Sequence, residues 1–436
     1  LDFVHDQFAL GRRFRILNIV DDVTRECLAA IPDFAWPAIG DVMSINGTGI
    51  ITKRDFLSIH FERQEVWTTF SEFAVMSERE ARQHFNLPDD VRDWRFDWAK
   101  KDLCDSGPSQ KCIKPILYRP FDIRQIYYTG QARGFIGWPV FQVMGHMIAG
   151  ENLAIITARS NKFPEPDHFF ASKTIVETKC GESSTQSATF PLYLYPGVGK
   201  SDGSMFETWP AGKGGRRPNL DPGFVQAIAQ ATGLTFVSDG RGDLKKQFGP
   251  EDALAYIYAV FHSPEYRRRF EPMLKLDFPR VPTLGSAEPF AALALPGHDL
   301  LALHLLDSPK LAKPITEFIS SRGSEVAKVS WSKNTVWIDK AQTTTGFKGV
   351  REDVWNFHIG GYQVCEKWLK DRKGRTLSKD DIAHYQKIVV ALSETIRLMK
   401  EIDEVIEKHG GWPGAFQTGS SQAVADAEEP MLDSGS

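Results

Sequence analysis

The segment 379–408 constrains the fold of this chain more than any other, because its pattern is that of a long amphipathic helix. Ser378 can cap the first turn, and Asp381 follows three residues later, as in a capping box. Apolar side chains recur along the segment at helical spacing, namely Ile382, Tyr385, Ile388, Leu392, Ile396, Met399 and Ile406. We therefore predict that the C-terminal part of the chain is helical.

The rest of the chain alternates between strand and helix patterns. Runs of β-branched and aromatic residues favour strands, two of them within 1–33 and others at 51–61, 113–129, 150–159 and 190–196. Helical spacing is found at 71–100, 138–147, 221–236, 250–270 and 296–318. Residues 324–339 favour a hairpin that turns at Ser332-Lys333. We expect an α+β (mixed α/β) fold with a strand-rich first half and a helical C-terminal part.

The composition is that of an ordinary soluble globular protein, with 42% hydrophobic and 25% charged residues. The formal net charge of −4 arises in the segment 410–436, which holds Asp426, Glu428, Glu429 and Asp433 and no basic residue. Without these acids the chain has 52 basic and 52 acidic residues. We predict a disordered acidic tail, and any contact of the neutral folded part with DNA must depend on a local patch.

The cysteine pattern and the first residues bear on the cellular compartment. The five cysteines form no CxxC pair, which predicts neither a zinc site nor a disulfide framework and fits a reducing cytoplasm. No window reaches the roughly 18 apolar residues of a membrane span. The chain begins at Leu1 without a signal peptide or an initiating Met. We expect a cytoplasmic protein without a membrane span, encoded as a truncated fragment.

The motifs of DNA-modifying enzymes are missing from this sequence. An adenine-N6 methyltransferase uses a short motif with a Pro-Pro pair that binds the target amino group and places an aromatic ring on the flipped base. The chain contains no Pro-Pro pair. It also lacks a glycine-rich cofactor loop after a strand. We therefore expect no catalytic residue, no metal and no cofactor in this chain.

One short pattern leaves a nuclease open as an alternative. Asp167, Glu177 and Lys179 follow the Pro-Asp…Glu-x-Lys arrangement, in which two carboxylates bind Mg²⁺ and the lysine positions a water molecule. The pattern is short and loosely spaced, so it occurs often by chance.

Residues 2–31, DFVHDQFALGRRFRILNIVDDVTRECLAAI, resemble the start of the integrase-type core of insertion-sequence transposases. The resemblance implies a ribonuclease-H-like fold in which Asp2 is the first of three acids that together bind Mg²⁺. The other acids have no recognisable counterpart downstream. We interpret residues 1–33 as a remnant, with a transposase-derived DNA integration protein as the alternative.

A longer resemblance covers residues 36–413. It rests on VMSINGTGIITKRDFLSIHF (42–61), IKPILYRPFDIRQIYYT (113–129), GENLAIITAR (150–159), FPLYLYP (190–196), FGPEDALAYIYAVFHSPEYRRRF (248–270) and VWNFHIGGYQVCEKWLKDRKGRTLS (354–378). These stretches resemble the C-terminal specificity region of type ISP restriction–modification enzymes. In that family a nuclease, a helicase-like motor, an adenine methyltransferase and a target-recognition domain follow one another.

The resemblance implies a DNA target-recognition module that binds duplex DNA. The parent enzyme would methylate adenine with S-adenosylmethionine and cleave DNA with ATP and Mg²⁺, and a separate methyltransferase or motor subunit is a possible partner. We divide the chain into a transposase-like remnant, an exit from the methyltransferase with a connector, the specificity domain and the acidic tail, at 1–33, 34–112, 113–409 and 410–436. A DNA-modifying enzyme in its own right remains the alternative.

Two clusters of the specificity region carry residue types that contact DNA. Arginine can bind guanine with two hydrogen bonds, tyrosine can contact phosphate or stack, and lysines contact phosphates. The predicted contact residues are Tyr118, Arg119, Arg124, Tyr127 and Tyr128, then Arg133 in a loop, and finally Lys367, Lys370, Arg372 and Lys373. The arginines can equally pair with Asp122 inside a strand and turn, and the basic run can be a plain solvated turn.

Overall fold

The computed structural model describes residues 36–198, 209–284, 287–321 and 323–416, and the backbone of three strands within residues 2–32. These strands, β1 (Asp2–Gln7), β2 (Arg13–Val20) and β3 (Cys27–Pro32), form an antiparallel sheet. The sequence pattern predicts two strands in this region, and the second of them is divided into β2 and β3.

The remaining elements alternate along the chain, as the sequence patterns predict. The strands are β4 (Gly47–Thr48), β5 (Ile59–His60), β6 (Ile113–Arg119), β7 (Asp122–Tyr127), β8 (Ala154–Ala158), β9 (Phe170–Ser172), β10 (Ile175–Val176), β11 (Ser187–Pro191), β12 (Tyr193–Leu194), β13 (Arg217–Pro218), β14 (Thr235–Phe236), β15 (Gln247–Phe248), β16 (Glu317–Ser320), β17 (Ser330–Ser332), β18 (Thr335–Trp337), β19 (Thr345–Lys348), β20 (His358–Ile359) and β21 (Tyr362–Gln363). The helices are α1 (Ile39–Val42), α2 (Asp55–Ser58), α3 (Arg63–Val75), α4 (Glu78–His84), α5 (Phe96–Ser106), α6 (Phe141–Ile148), α7 (Pro222–Thr232), α8 (Pro250–His262), α9 (Pro264–Arg269), α10 (Glu271–Leu274), α11 (Ala287–His304), α12 (Glu352–Trp355), α13 (Val364–Lys370), α14 (Lys379–Lys408) and α15 (Gly411–Gly414).

The strands form small sheets rather than one continuous layer. Two four-stranded sheets in the first half have the orders β10-β6-β7-β5 and β4-β11-β8-β9, and a third, β16-β19-β18-β17, lies near the C-terminal helices. Strand β10 pairs with β6 in parallel, whereas β7 pairs antiparallel with both β6 and β5. The β6–β7 hairpin is therefore the centre of its sheet. The fold is mixed α and β, as expected.

A helical layer covers the largest apolar core. All of α8 is buried except Glu251, and α11 and α14 pack against it. The predicted cap of α14 is confirmed, because Ser378 Oγ accepts a hydrogen bond from Asp381 N at 3.0 Å and the Asp381 carboxylate accepts one from Ser378 N at 2.9 Å. A second, smaller core lies between α3, α5 and the β6–β7 hairpin, with Phe70 and Phe73 fully buried at its centre.

Several element boundaries differ from the sequence patterns. The predicted helix 250–270 is two helices, because Pro264 lacks an N–H group and is accepted only in the first turn, where Ser263 Oγ caps α9. The predicted helix 296–318 begins earlier and ends at His304. Helix α11 runs through Pro296, and Gly297 lies against α8 so closely that a Cβ there would be 2.0 Å from Ala255 O.

Two further sequence predictions differ from the structure. Of the predicted strand 51–61 only Ile59 and His60 form a strand, β5, and it is preceded by the four-residue helix α2. The Thr52 hydroxyl bonds the Asp55 carboxylate just before this helix. The acidic tail was expected from residue 410, but residues up to Phe416 are packed, and Trp412 lies against Trp36. Residues 417–436 lie outside the described part of the chain. None of the helices described combines the length and apolar character needed to cross a bilayer.

Candidate functional site

The two predicted clusters meet beside the β6–β7 hairpin, although they are about 250 positions apart in sequence. Strand β5 pairs with β7 and places Phe61 next to Arg124. Helix α13 and the turn after it bring Arg372 to Asp122. The segments together form a stack of alternating arginine and aromatic side chains, here called the arginine column, which consists of Phe61, Tyr118, Arg119, Arg124, Tyr362, Trp368 and Arg372.

Each guanidinium group of the arginine column lies over an aromatic ring. The Cζ atom of Arg124 is 4.2 Å from the Phe61 ring centroid and 4.0 Å from that of Tyr118. Arg119 lies 3.9 Å from the Tyr118 ring, and Arg372 lies 3.5 Å from the Trp368 ring. Such contacts stabilise a cation by about 2 kcal/mol when the site is desolvated. Contacts with aromatic rings therefore help to hold these arginines in place, in addition to their ion pairs.

Asp122 neutralises the centre of the arginine column. Its carboxylate accepts hydrogen bonds from Arg124 Nε at 3.0 Å and from Arg372 at 2.8 Å, and the side chain is only 1% exposed. Burial alone would raise the pKa of Asp122, but the charges of Arg372 and Arg124 hold it below its ordinary value. Of the two interpretations left open by the sequence, the structure has Arg124 paired within the fold.

Arg119 is paired in the same way. Its guanidinium donates to Glu177 at 2.6 Å, and both side chains are largely buried. Burial works against the charge on Arg119, but the attraction of Glu177 outweighs it and holds the pKa of Arg119 above its ordinary value. Tyr118 donates its hydroxyl to Asp55 at 3.2 Å. In the structure Arg119 and Tyr118 are therefore both bonded to carboxylates of the protein itself.

The lysines of the second cluster divide into two kinds. Lys367 bonds Asp371 at 2.5 Å, and Lys370 lies 2.9 Å from Glu366, so both form ion pairs along one helix face. Lys373 is exposed and has no carboxylate partner in the part of the chain that the structure describes. It lies in the turn that precedes the exposed Arg375.

Tyr127 and Tyr128 lie inside the protein. Tyr127 packs on Phe70 with ring centroids 4.1 Å apart, and its hydroxyl lies 3.2 Å from Ser106 Oγ. Tyr128 is almost fully buried, and its hydroxyl donates to Pro139 O at 2.8 Å. Burial leaves neither side chain a surface for DNA in this conformation. Tyr128 instead supports the loop that follows it.

Arg133 is at the tip of that loop, residues 129–139, here called the Arg133 loop. Its side chain is exposed, and its Cζ atom lies 5.8 Å from the rings of both Trp98 and Trp138. Its φ of 55° is in the left-handed region, which non-glycine residues adopt uncommonly and mostly in turns. Among the described residues no carboxylate pairs with Arg133.

Buried polar groups fix the Arg133 loop from behind. The Asp102 carboxylate accepts from Phe135 N at 2.9 Å and from Thr129 Oγ1 at 3.0 Å, and Trp94 Nε1 donates to Phe135 O at 3.1 Å. Burial raises the pKa of Asp102, while the bonds from Phe135 and Thr129 oppose the rise. A Cβ on Gly134 would lie 2.3 Å from Asp102 Oδ2, so this approach requires glycine. The loop is therefore formed before any ligand arrives.

The nuclease pattern does not form a site. The carboxylate of Glu177 is occupied by Arg119 and by the backbone N–H of Lys179, at 2.6 and 2.8 Å. Asp167 is buried near Arg267. No group of three His, Cys, Asp or Glu side chains within the described ranges could hold a metal ion. Asp2 lies on β1, where no side chain is described.

The comparison with known protein families fits this architecture. The sequence profile of the Type ISP C-terminal specificity domain matches residues 41–401. This chain belongs to that family. No curated protein matches it.

Three solved structures resemble this Type ISP specificity domain. They are a nuclease-deletion mutant of the Type ISP enzyme LlaGI in complex with a DNA substrate mimic (TM-score 0.57, 18% identity), the ATP-dependent Type ISP enzyme LlaBIII bound to DNA (0.56, 15%) and a DrdV–DNA complex (0.61, 17%). The matches cover 89%, 89% and 88% of this chain but only 30%, 25% and 40% of those chains. At these identities the likeness concerns the fold.

Sequence reasoning missed several residues of this Type ISP domain that shape the site. Phe61, Tyr362 and Trp368 complete the arginine column, and Trp98 and Trp138 flank Arg133. The residues around these five aromatic side chains share no sequence motif that would predict a site. The available signal was weak, because an isolated aromatic residue in a strand or helix usually indicates core packing.

Proposed function

We propose that this chain is a DNA target-recognition module that contacts duplex DNA through the Arg133 loop and the turn at Lys373. One observation carries the assignment. Of the residues predicted to contact DNA, Arg133 and Lys373 are exposed cations without a carboxylate partner among the described residues, whereas the other cations are paired. An exposed cation without an ion pair can bind phosphate without breaking a contact of the fold, while a paired one must first break its ion pair.

The family and the fold support the proposal. The chain has the fold of a Type ISP specificity domain, and the structures it resembles were solved with DNA or a DNA mimic. The paired arginines have a positioning role in this scheme. The arginine column connects the β6–β7 hairpin to the turn that carries Lys373, so it fixes that cation relative to the sheet.

The test is a measurement of duplex DNA affinity over a salt series. Each lost phosphate contact reduces the slope of log affinity against log salt by about 0.9. Arg133→Ala and Lys373→Ala are each expected to reduce the slope by about that amount and to weaken binding several-fold. Lys400→Ala is the matched control, because it removes an exposed cation that lies about 30 Å along α14 from the N-terminus of that helix, the end next to the turn at Lys373. Absence of binding at about 50 mM salt would contradict the proposal.

The catalytic steps of the whole enzyme belong to the same proposal. Methylation with S-adenosylmethionine and cleavage with ATP and Mg²⁺ would be supplied by a methyltransferase and motor part, in one polypeptide or as a separate subunit. The chain spans 25% to 40% of the length of the structures it resembles, which is consistent with that division. Methyl transfer from S-adenosylmethionine by this chain alone, or Mg²⁺-dependent nicking of DNA that Asp167→Ala abolishes, would favour the enzyme alternative.

A further inference from the structure

We propose that the Arg133 loop is a preformed wedge that enters duplex DNA at an unstacked base step, with the Trp138 ring stacking on the exposed base. The inference deepens the proposed function and rests on it. Binding to DNA requires only cations at the surface, whereas a wedge requires in addition a rigid loop that presents an aromatic face. The Arg133 loop has both properties.

The first property is aromatic surface at the edge of the loop. Trp138 is 37% exposed and Phe141, two residues beyond the loop, is 39% exposed. Single exposed apolar side chains are common on protein surfaces, so this exposure alone does not indicate a partner, and the rigidity and charge described below are needed as well. Base–aromatic stacking tolerates any sequence, because every base has a π-face, and alanine substitution of the aromatic residue costs about 1–3 kcal/mol per base.

The second property is rigidity at the exposed tryptophan. The backbone of Trp138 is bonded on both sides to Ile51, with Trp138 N donating to Ile51 O at 2.9 Å and Ile51 N to Trp138 O at 3.0 Å. The next residue, Pro139, is held by the buried hydroxyl of Tyr128. Val140 adopts a φ of 51°, an unusual conformation for a β-branched residue, and turns the chain into α6. Because the backbone that carries Trp138 is already fixed, insertion of the ring requires no additional ordering of the backbone.

The third property is the charge around the tryptophans, which favours nucleic acid over an apolar protein partner. Arg133 and Arg95 both lie over the Trp98 ring, at 5.8 and 5.5 Å. Lys53 and Arg92 share a single carboxylate, that of Asp93, at 3.6 Å each. Arg95 is also paired, with Asp97 at 3.0 Å. The four cations named here therefore share two carboxylates, which leaves positive charge beside the aromatic surface. Positive charge with an exposed aromatic ring suits a phosphate backbone and an adjacent base.

The experiment compares two short duplexes of the same sequence, one fully paired and one with a single central abasic site. An abasic site removes most of the unstacking cost, so a wedge binds it more tightly. The wild-type chain is expected to prefer the abasic duplex by at least about fivefold, because the unstacking cost that the abasic site removes amounts to a few kcal/mol. Trp138→Ala should lose the preference while the salt dependence of binding stays unchanged. Trp138→Phe should retain part of it.

The control is Trp337→Ala, which removes another partly exposed tryptophan, on β18, and is expected to leave the preference intact. Thermal melting of each variant establishes that it is folded. Equal affinity of the wild-type chain for both duplexes, or a full preference in Trp138→Ala, would overturn the wedge while leaving DNA recognition in place. Absence of binding to either duplex would instead overturn the proposed function itself.

Discussion

Asp122 is the residue on which the arginine column depends most directly. Its buried carboxylate is shared by Arg124 and Arg372, which are also largely buried. Asp122→Ala would leave both guanidinium groups in the interior without their main partner. Loss of one member of a buried ion pair costs about 3–5 kcal/mol. We expect a decrease of that size in the free energy of unfolding, measured by urea denaturation.

Asp353→Ala provides the comparison for Asp122→Ala. The Arg351–Asp353 pair has a short distance of 2.8 Å, but both side chains are about half exposed. Exposed pairs contribute about 0–1 kcal/mol. Equal effects of the two substitutions would contradict the role assigned to Asp122.

Asp167 gives a second prediction at the residue scale, concerning pH. Burial raises the pKa of this carboxyl to about 7, and the charge of Arg267 only partly offsets the rise. Since the folded state prefers the protonated form, this contribution to stability is complete below the unfolded pKa of about 4 and is lost as the pH rises through about 7.

The variant Asp167→Asn keeps the side chain neutral at every pH. We expect the free energy of unfolding of the variant to rise relative to that of the wild-type chain as the pH increases from about 4 to about 7, because only the wild type must bury a charge. Urea denaturation at a series of pH values measures the difference. The exposed Asp353→Asn is the control, and parallel curves for Asp167→Asn and wild type would show that Asp167 is not the responsible group.

The sequence alone could identify residue types at the site but not their pairing. It placed Arg119 and Arg124 in one cluster and Arg372 in another, yet left DNA contact and internal pairing equally open. The outcome depends on β5 bringing Phe61 to β7 and on the turn after α13 reaching Asp122. Such contacts between distant segments have no periodicity that can be read along a single chain.

At the scale of elements, the Arg133 loop makes a specific demand at Gly134. A methyl group there would lie 2.3 Å from Asp102 Oδ2 and displace the carboxylate from its bonds to Thr129 and Phe135. We expect Gly134→Ala to lower stability by about 1–3 kcal/mol, the cost of unsatisfied buried groups. Amide hydrogen exchange should show loss of protection at Phe135.

Gly414→Ala is the matched control for Gly134→Ala, since a Cβ at Gly414 would meet no atom within 4 Å. The same loop substitution should weaken DNA binding without changing its salt dependence, because no cation is removed. Unchanged protection of Phe135 in Gly134→Ala would contradict the tight approach to Asp102.

Elements with a strong local signal were predictable, and those set by tertiary contacts were not. The cap and the apolar stripe of α14 are local, and both are present as expected. The hairpin of β17 and β18 is present, but it turns at Lys333 and Asn334, one residue beyond the predicted Ser332-Lys333, and the positive φ values of these residues match a two-residue turn. By contrast, α11 continues through Pro296 because packing against α8 outweighs the local preference of proline.

At the scale of the whole molecule, the two apolar cores differ in size. The smaller core is confined to residues between Leu57 and Phe135, while the larger one joins elements from α1 to α15. Stability within a protein varies with the amount of buried apolar contact. We expect native-state hydrogen exchange to show that the amides of α3 and α5 open at lower free energy than those of α8 and α14.

Two cavity-forming substitutions distinguish local from global opening. Phe70→Ala removes a ring from the smaller core and should speed exchange in α3 and α5 alone, at a cost of about 3–5 kcal/mol. Phe261→Ala removes a ring from the larger core and should speed amide exchange in all the described elements, including α3 and α5. A single opening free energy for all elements would show that the chain unfolds as one unit.

The arginine column has a consequence for hybrid enzymes that exchange specificity regions between relatives. Its side chains come from three separate stretches, at 61, 118–124 and 362–372. A crossover between the first and the last stretch takes part of the stack from each parent. The aromatic rings of one parent then face the guanidinium groups of the other, and these side chains have not evolved to pack together. Hybrids should therefore be joined outside residues 61–372, so that the whole stack is inherited as a block.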